Sequence, residues 1–108
     1  MFFKTEEIAW EAIEENIERQ IVGYDASLMM VNVRFKKGAI GYLHQHFHSQ
    51  AAYVAEGKFE VVIEKEKEVL KKGDSFFIPT NKMHGVVCLE DGLLIDVFSP
   101  MREDFIKS

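Results

Sequence analysis

Three of the four histidines in this chain fall in one short stretch, Gly41-Tyr42-Leu43-His44-Gln45-His46-Phe47-His48-Ser49-Gln50. A neutral imidazole offers a ring nitrogen to a metal at about 2.1 Å. Alternate residues of an extended strand share a face, so His44, His46, His48 and Gln50 are expected to point the same way. Two imidazoles at that spacing make the first half of a metal site. The fourth, His84, follows His46 by 38 residues, in His84-Gly85-Val86-Val87-Cys88. An antiparallel barrel can return it to the same interior. Buried histidines hydrogen-bonded within a core are the alternative, and spacing alone leaves both readings open.

Near the end of the chain, Leu94, Asp96 and Phe98 share a face. If that face looks inward, Asp96 is a carboxylate in an apolar cavity. Burial raises its pKa and a nearby cation lowers it, a balance suited to proton transfer. Pairing with Arg34 or with a backbone group is the competing reading. Arg102 follows Pro100 on an expected turn, where its fork can clamp a carboxylate or simply face water.

The elements that must position these groups are mostly short strands. Thr5 as N-cap, followed by Ile8, Ala9, Ala12 and Ile13, predicts one short N-terminal helix, with Trp10 anchoring it in the core. After Asn16 the period becomes two, through Ile17 to Val22, and Gly23-Tyr24-Asp25 is read as a turn. Leu28 to Phe35 is a strand. Further turns are expected at Glu56-Gly57, at Gly73-Asp74 and at Glu90-Asp91-Gly92, the last joining Gly85–Leu89 to Leu93–Phe98 as a hairpin. The charged run Glu64 to Glu68 reads as a solvated hairpin end. Seven to ten strands with glycine-centred turns predict a closed sheet or two-sheet sandwich. Leu93 to Phe98 is more uniformly apolar than a one-sided strand needs, which fits burial against a second sheet or another subunit.

Composition narrows the function classes. The chain has 108 residues, 47% of them apolar, nine phenylalanines and a net charge of −5, enough for one core and far from a disordered composition. Thirteen basic against 18 acidic residues argue against a nucleic-acid partner. Cys88 is alone, so no internal disulfide is expected, and no long apolar run suggests a membrane segment. A single domain spanning 1–108, cytoplasmic, is the expectation.

The spacing Gly38, five residues, His44, one, His46, three, Gln50, six, Gly57 resembles the first motif of the cupins, with Gln50 where glutamate is usual. Gly73, five residues, Pro79, one, Asn81, two, His84 resembles the second, with Asn81 in place of glycine and Cys88 where asparagine often stands. The resemblance implies an all-β cupin jelly-roll barrel of the RmlC-like type, its metal-binding core about 27–100, with the short N-terminal helix outside it. It implies one divalent transition metal ion, nickel, zinc, manganese or iron, on His44, His46, Gln50 and His84. A neutral Gln50 leaves such an ion fully dipositive, hence a stronger Lewis acid and a better anchor for an anion.

Beyond the motifs, the chain is similar over its length to the small KdgF-type cupins of pectin and alginate breakdown. Met1-Phe2-Phe3, Gly23-Tyr24-Asp25, the histidine stretch with its extra His48, Gly73 to Pro79 and Leu94 to Phe105 carry that resemblance. It implies conversion of cyclic 4,5-unsaturated monouronates to linear 5-keto forms, with Asp96 as proton shuttle and Arg102 orienting the substrate carboxylate. Tyr42, His48, Tyr53, Phe77 and Phe98 are candidate substrate contacts. A metal-dependent cupin dioxygenase and a non-catalytic sugar-acid-binding cupin are the alternatives. Small cupins commonly pair through sheet edges or exchanged N-terminal strands, so a homodimer is expected, with Ile17 to Val22 as candidate exchanged strand.

Overall fold

The structure, a computed structural model, describes residues 1–106. Eight strands carry the fold: β1 (Glu11–Glu14), β2 (Ile17–Asp25), β3 (Leu28–Phe35), β4 (Ile40–His44), β5 (Ser49–Ile63), β6 (Glu66–Lys71), β7 (Ser75–Ile78) and β8 (His84–Ser99). A single turn of α-helix, α1 (Glu103–Ile106), closes the described chain. No helix among the described residues is long and apolar enough to cross a membrane.

Strands pair in the order β1-β2-β3-β8-β5-β6, with β4 on β8 and β7 on β5, all antiparallel. Two long strands, β5 and β8, tie the two layers together. The first part of β5 and the last part of β8 lie with β3 and β7, in the register Gln50 to Phe98, Ala52 to Asp96 and Val54 to Leu94. The remaining parts lie with β4 and β6, with Phe59 opposite Cys88 and Ile63 opposite His84.

The expected turns at Glu56-Gly57 and Glu90-Asp91-Gly92 are therefore not chain reversals. They are irregularities facing one another midway along β5 and β8, where the register shifts on either side of Glu56 and Lys58. Gly57 has φ +85°, and a Cβ there would come within 2.5 Å of the Asp91 carbonyl oxygen. A Cβ on Gly92 would meet the Glu56 oxygen and the Phe59 ring at 2.7 Å. Both glycines permit close backbone approach at a bulge, which turn-type composition imitates. Gly23-Tyr24-Asp25 likewise stays in β2; the reversal comes at Ala26-Ser27, where Asp25 accepts hydrogen bonds from the Ser27 and Leu28 amides at 2.9 and 3.1 Å.

The N-terminal helix is also corrected. Only a 3-10 turn forms, Thr5–Glu7, without a side-chain cap, and Glu11–Glu14 is an edge strand on β2. Thr5 instead donates to Gln20 Oε1 at 3.1 Å, and Gln20 donates to the Thr5 and Ile8 carbonyls. Pairing along β2 gives residues 11–14 the backbone partners that an isolated short helix could not secure. Trp10 lies outside the core, beneath the Arg34 guanidinium at 3.9 Å.

Inside, alternate residues of β3, β5 and β8 form the core. Met29, Val31, Val54 and Phe59 are fully buried, and Phe59 meets Phe35 edge-on at 5.1 Å. Burial of such side chains contributes roughly 1.5–3 kcal/mol each. Set into this apolar interior are four polar side chains from the segments singled out above: His48, Gln50, His84 and Asp96.

Candidate active site

His44 ends β4 and pairs across the ladder with His84, the first residue of β8. The strand does not continue to His46: residues 45–48 form a connection, and pairing resumes at Ser49. That connection nevertheless turns His46 inward. Its ring lies 4.8 Å from His84 and 5.5 Å from His44, and the candidate ligand nitrogens of the three rings all lie within 4.8 Å of one another.

Backbone carbonyls fix which nitrogen of each ring faces the cluster. His44 Nδ1 donates to the Tyr42 carbonyl at 2.9 Å, His46 Nδ1 to that of His48 at 3.0 Å, and His84 Nδ1 to that of Lys82 at 2.9 Å. Each Nε2 is then left with its lone pair, and that of His84 is buried with no partner among the described residues. Metal-ligating histidines are held in this way by a backbone acceptor on the far nitrogen. Gln50 Oε1 lies 3.1 Å from His46 Nε2. Two lone-pair atoms at that separation repel, whereas two ligands sharing one ion at bond lengths near 2.1 Å sit about 3.0–3.4 Å apart. The donor set therefore fits a divalent transition ion held by three imidazoles and one amide oxygen. Burial also lowers the pKa of all three clustered or adjacent rings for which a shift is resolved, His84 to about 4, and His46 and His48 in the same direction, so they stay neutral as ligation requires.

Asp96 faces the same interior from β8. It is only 9% exposed, and its Oδ1 has no partner among the described residues. Burial pushes its pKa up to about 7, with the Gln50 amide and the Arg102 guanidinium pulling it back. The competing partner, Arg34, is engaged elsewhere, donating to Glu18 at 2.8 Å on the outer surface. Arg102 has a side chain only 13% exposed, donates to both Asp104 carboxylate oxygens at 3.1 and 3.0 Å, and lies over the rings of Phe98 and Phe105.

A cavity of about 340 Å³ joins these groups, lined among others by His44, Gln50, His84, Asp96, Phe98 and Arg102, with Tyr42 also in its wall. Tyr53 and Phe77 do not reach it. On β5, Gln50, Ala52 and Val54 face inward and Tyr53 outward; on β7, Ile78 is buried and Phe77 is 58% exposed. Strand parity placed both on the far face. His48 is buried but stacks on Phe47 at 4.0 Å instead of lining the cavity. Wall residues given no site role from the sequence include two with chemistry of their own, Arg19 of β2 and Phe105 of α1. The signal for Arg19 was present, a cation in the Ile17, Arg19, Ile21 row; Phe105 carried none of its own.

The cupin domain family model matches residues 31–98. The chain is 53% identical to the pectin degradation protein KdgF of Dickeya dadantii over 97% of both chains. It superposes on the structure of KdgF from Halomonas sp. with TM-score 0.94 and 48% identity, covering 97% of each chain. An RmlC-like cupin from Shewanella frigidimarina matches as well, at TM-score 0.94 and 48% identity over 96% of this chain and 94% of that one. Oxalate decarboxylase OxdC of Bacillus subtilis is 35% identical over 71 residues, 61% of this chain but 18% of that protein.

Proposed function

The chain belongs to the cupin domain family and, within it, groups with the KdgF proteins, and from that premise we propose that it opens and ketonises the cyclic 4,5-unsaturated monouronates released by pectin or alginate breakdown. The observation that carries the reading is Asp96: a carboxyl buried beside a three-histidine cluster, with one oxygen free and its pKa raised to about 7.

The reaction is an isomerisation. Opening the hemiacetal moves a proton off the anomeric hydroxyl, breaks the bond between C1 and the ring oxygen, and leaves an aldehyde at C1 and an enol at C5. Ketonisation then transfers the enol proton to C4. A carboxyl raised by burial, and lowered in turn by an ion held beside it, is placed to exchange a proton in either direction. Asp96 is the proton carrier, giving its proton to C4 and accepting the one leaving the enol oxygen. Arg102 holds the substrate carboxylate with the guanidinium edge that Asp104 leaves free. His44, His46 and His84 Nε2 with Gln50 Oε1 hold the divalent ion, whether nickel, zinc, manganese or iron; when bound, it supplies a Lewis acid for developing oxyanion charge. Phe98 and Tyr42 wall the cavity and limit water.

The test is loss of the conjugated double-bond absorbance of the unsaturated monouronate, with spontaneous decay subtracted. Wild type accelerates it, and Asp96→Asn reduces kcat by about 10²–10⁴-fold, the usual contribution of a positioned acid/base. Metal-loaded wild type that only matches the uncatalysed trace overturns the assignment.

The working unit is a homodimer. Ile17 to Val22, the candidate exchanged strand, has both its edges paired within the chain, to β1 and β3, so it offers no free edge here. The outer face of β3, β8, β5 and β7 supports a different contact. Met30, Val97, Ala51 and Phe77 form one row across it, and Ile95 and Tyr53 lie in the next. Neither row contains a charged side chain, although the chain carries −5 overall. Two copies can therefore meet there without opposing like charges. With Phe77 58%, Tyr53 47% and Met30 43% exposed, this face offers the apolar centre that a stable dimer of roughly 800 Å² per partner needs.

A further inference from the structure

We propose that Arg19 is the second arm of a carboxylate cradle, so that the substrate's carboxylate is held between its guanidinium and that of Arg102; the proposal rests on the uronate reading above and adds a specificity-determining residue to it. Arg19 sits on β2, on the opposite side of the sequence from the motifs, yet lines the same cavity as Asp96 and His84. Its side chain is only 16% exposed. An arginine so covered inside a barrel requires partners for five N–H groups. One is met: Nε donates to Glu11 Oε1 at 2.7 Å. No hydrogen bond engages its two Nη groups among the described residues.

The ring of Phe105 brings the two cations together. The Arg19 guanidinium carbon lies 3.8 Å from its centroid and that of Arg102 lies 4.3 Å from it, so the two are within about 8 Å of each other. Each is tied on one edge by a solvent-facing carboxylate, Glu11 and Asp104, 53% and 60% exposed. Those ties fix the planes of both forks and leave the remaining edges unpaired. Two like charges gathered against one ring repel; Glu11 and Asp104 offset this in part, and an anion shared by both forks offsets it further. A carboxylate that accepts from the free edges of both forks is such an anion. A neutral sugar offers neither fork a charged acceptor, so it gains less from the two arginines than a uronate does.

The experiment measures binding, not turnover. D-galacturonate, a saturated uronate, and D-galactose, its neutral counterpart, are titrated by calorimetry into metal-loaded wild type, Arg19→Gln and Arg19→Lys. The expected result is a wild-type preference for galacturonate, cut at least tenfold in Arg19→Gln with galactose unchanged, and cut at least threefold in Arg19→Lys, which keeps charge and stem but loses the fork. With the unsaturated uronate, Arg19→Gln raises KM and leaves kcat within about twofold. Galacturonate affinity within twofold of wild type in a folded Arg19→Gln overturns the cradle. So does an equal loss for both sugars, which would make Arg19 only a strap for α1, or a wild type with no preference. Should Arg19→Gln fail to fold, unchanged galacturonate affinity in Arg19→Lys overturns it instead. Galacturonate selectivity without turnover would remove the reaction and keep the cradle; turnover with selectivity untouched by the variants would do the reverse.

Discussion

Asp96 and His84 lie in one cavity and respond to burial with opposite signs. Asp96 titrates near 4 in an unfolded chain and at about 7 in the folded one, so between those values the folded state holds the extra proton and stability falls as pH rises. His84 titrates near 6.5 unfolded and at about 4 folded, so over that range the unfolded state holds the extra proton and stability rises with pH. In protein stripped of metal the two slopes oppose, each on the order of 1.4 kcal/mol per pH unit where fully developed. Asp96→Asn removes the falling one. Stripped Asp96→Asn is therefore expected to gain stability against urea from pH 4 to 6.5 more steeply than stripped wild type, with His46 and His48 adding in the same direction. Parallel curves for the two proteins would mean that Asp96 is not buried as a neutral acid.

Among the elements, β5 and β8 decide the architecture, and their facing irregularities at Gly57 and Gly92 let each strand serve both layers. Gly92→Ala forces a methyl into the Phe59 ring and the Glu56 carbonyl. The expected cost is about 1–3 kcal/mol, a drop of roughly 5–15 °C in Tm, measured by thermal melting of the variant against wild type. A turn-type glycine would tolerate alanine at its open Cβ, as Gly73 has nothing within 4 Å, although its φ of +96° adds its own strain. Reading Glu56-Gly57 and Glu90-Asp91-Gly92 as reversals failed because glycine and acidic residues mark a bulge and a turn alike. Reading Glu64 to Glu68 as a hairpin end agreed with the structure, since Ile63 pairs with Glu66 around it. The strand of Leu28 to Phe35 needed no correction either, because its alternation is local.

At the scale of the molecule, an ion that binds only the folded barrel stabilises it by mass action. A divalent ion at a hundred times its dissociation constant adds about 2.7 kcal/mol, so chelation is expected to lower Tm and re-addition to restore it. His84→Ala, lacking one buried ligand atom, should show a Tm insensitive to chelator; a Tm that still responds would place the ion elsewhere. The two uncharged rows of the outer face make a second prediction. Phe77→Glu puts a carboxylate at the β7 end of the row formed with Ala51, Val97 and Met30. Light scattering on the eluted protein should report twice the chain mass for wild type and the chain mass for the variant, with the melting profile of each barrel otherwise similar. Wild type at the mass of one chain would remove the dimer.

The alternation of β3 and the inward parity of Asp96 were legible in the sequence, because each follows from a period of two along one strand; the histidine spacing was legible only as a motif. Tertiary structure alone decided where that parity was anchored: Tyr53 and Phe77 faced outward because register across β5, β7 and β8 placed Gln50, Ala52 and Ile78 inside. It also decided that His46 joins His44 and His84 from a loop and not from a strand, and that Trp10 stays out of the core. Arg19 and Phe105 lie 86 residues apart, and nothing in either local pattern refers to the other. They meet because closing the barrel carries β2 and the end of β8 to one mouth. Periodicity reaches only as far as a strand does; a site assembled from several strands and a terminal turn is set by how those strands are paired.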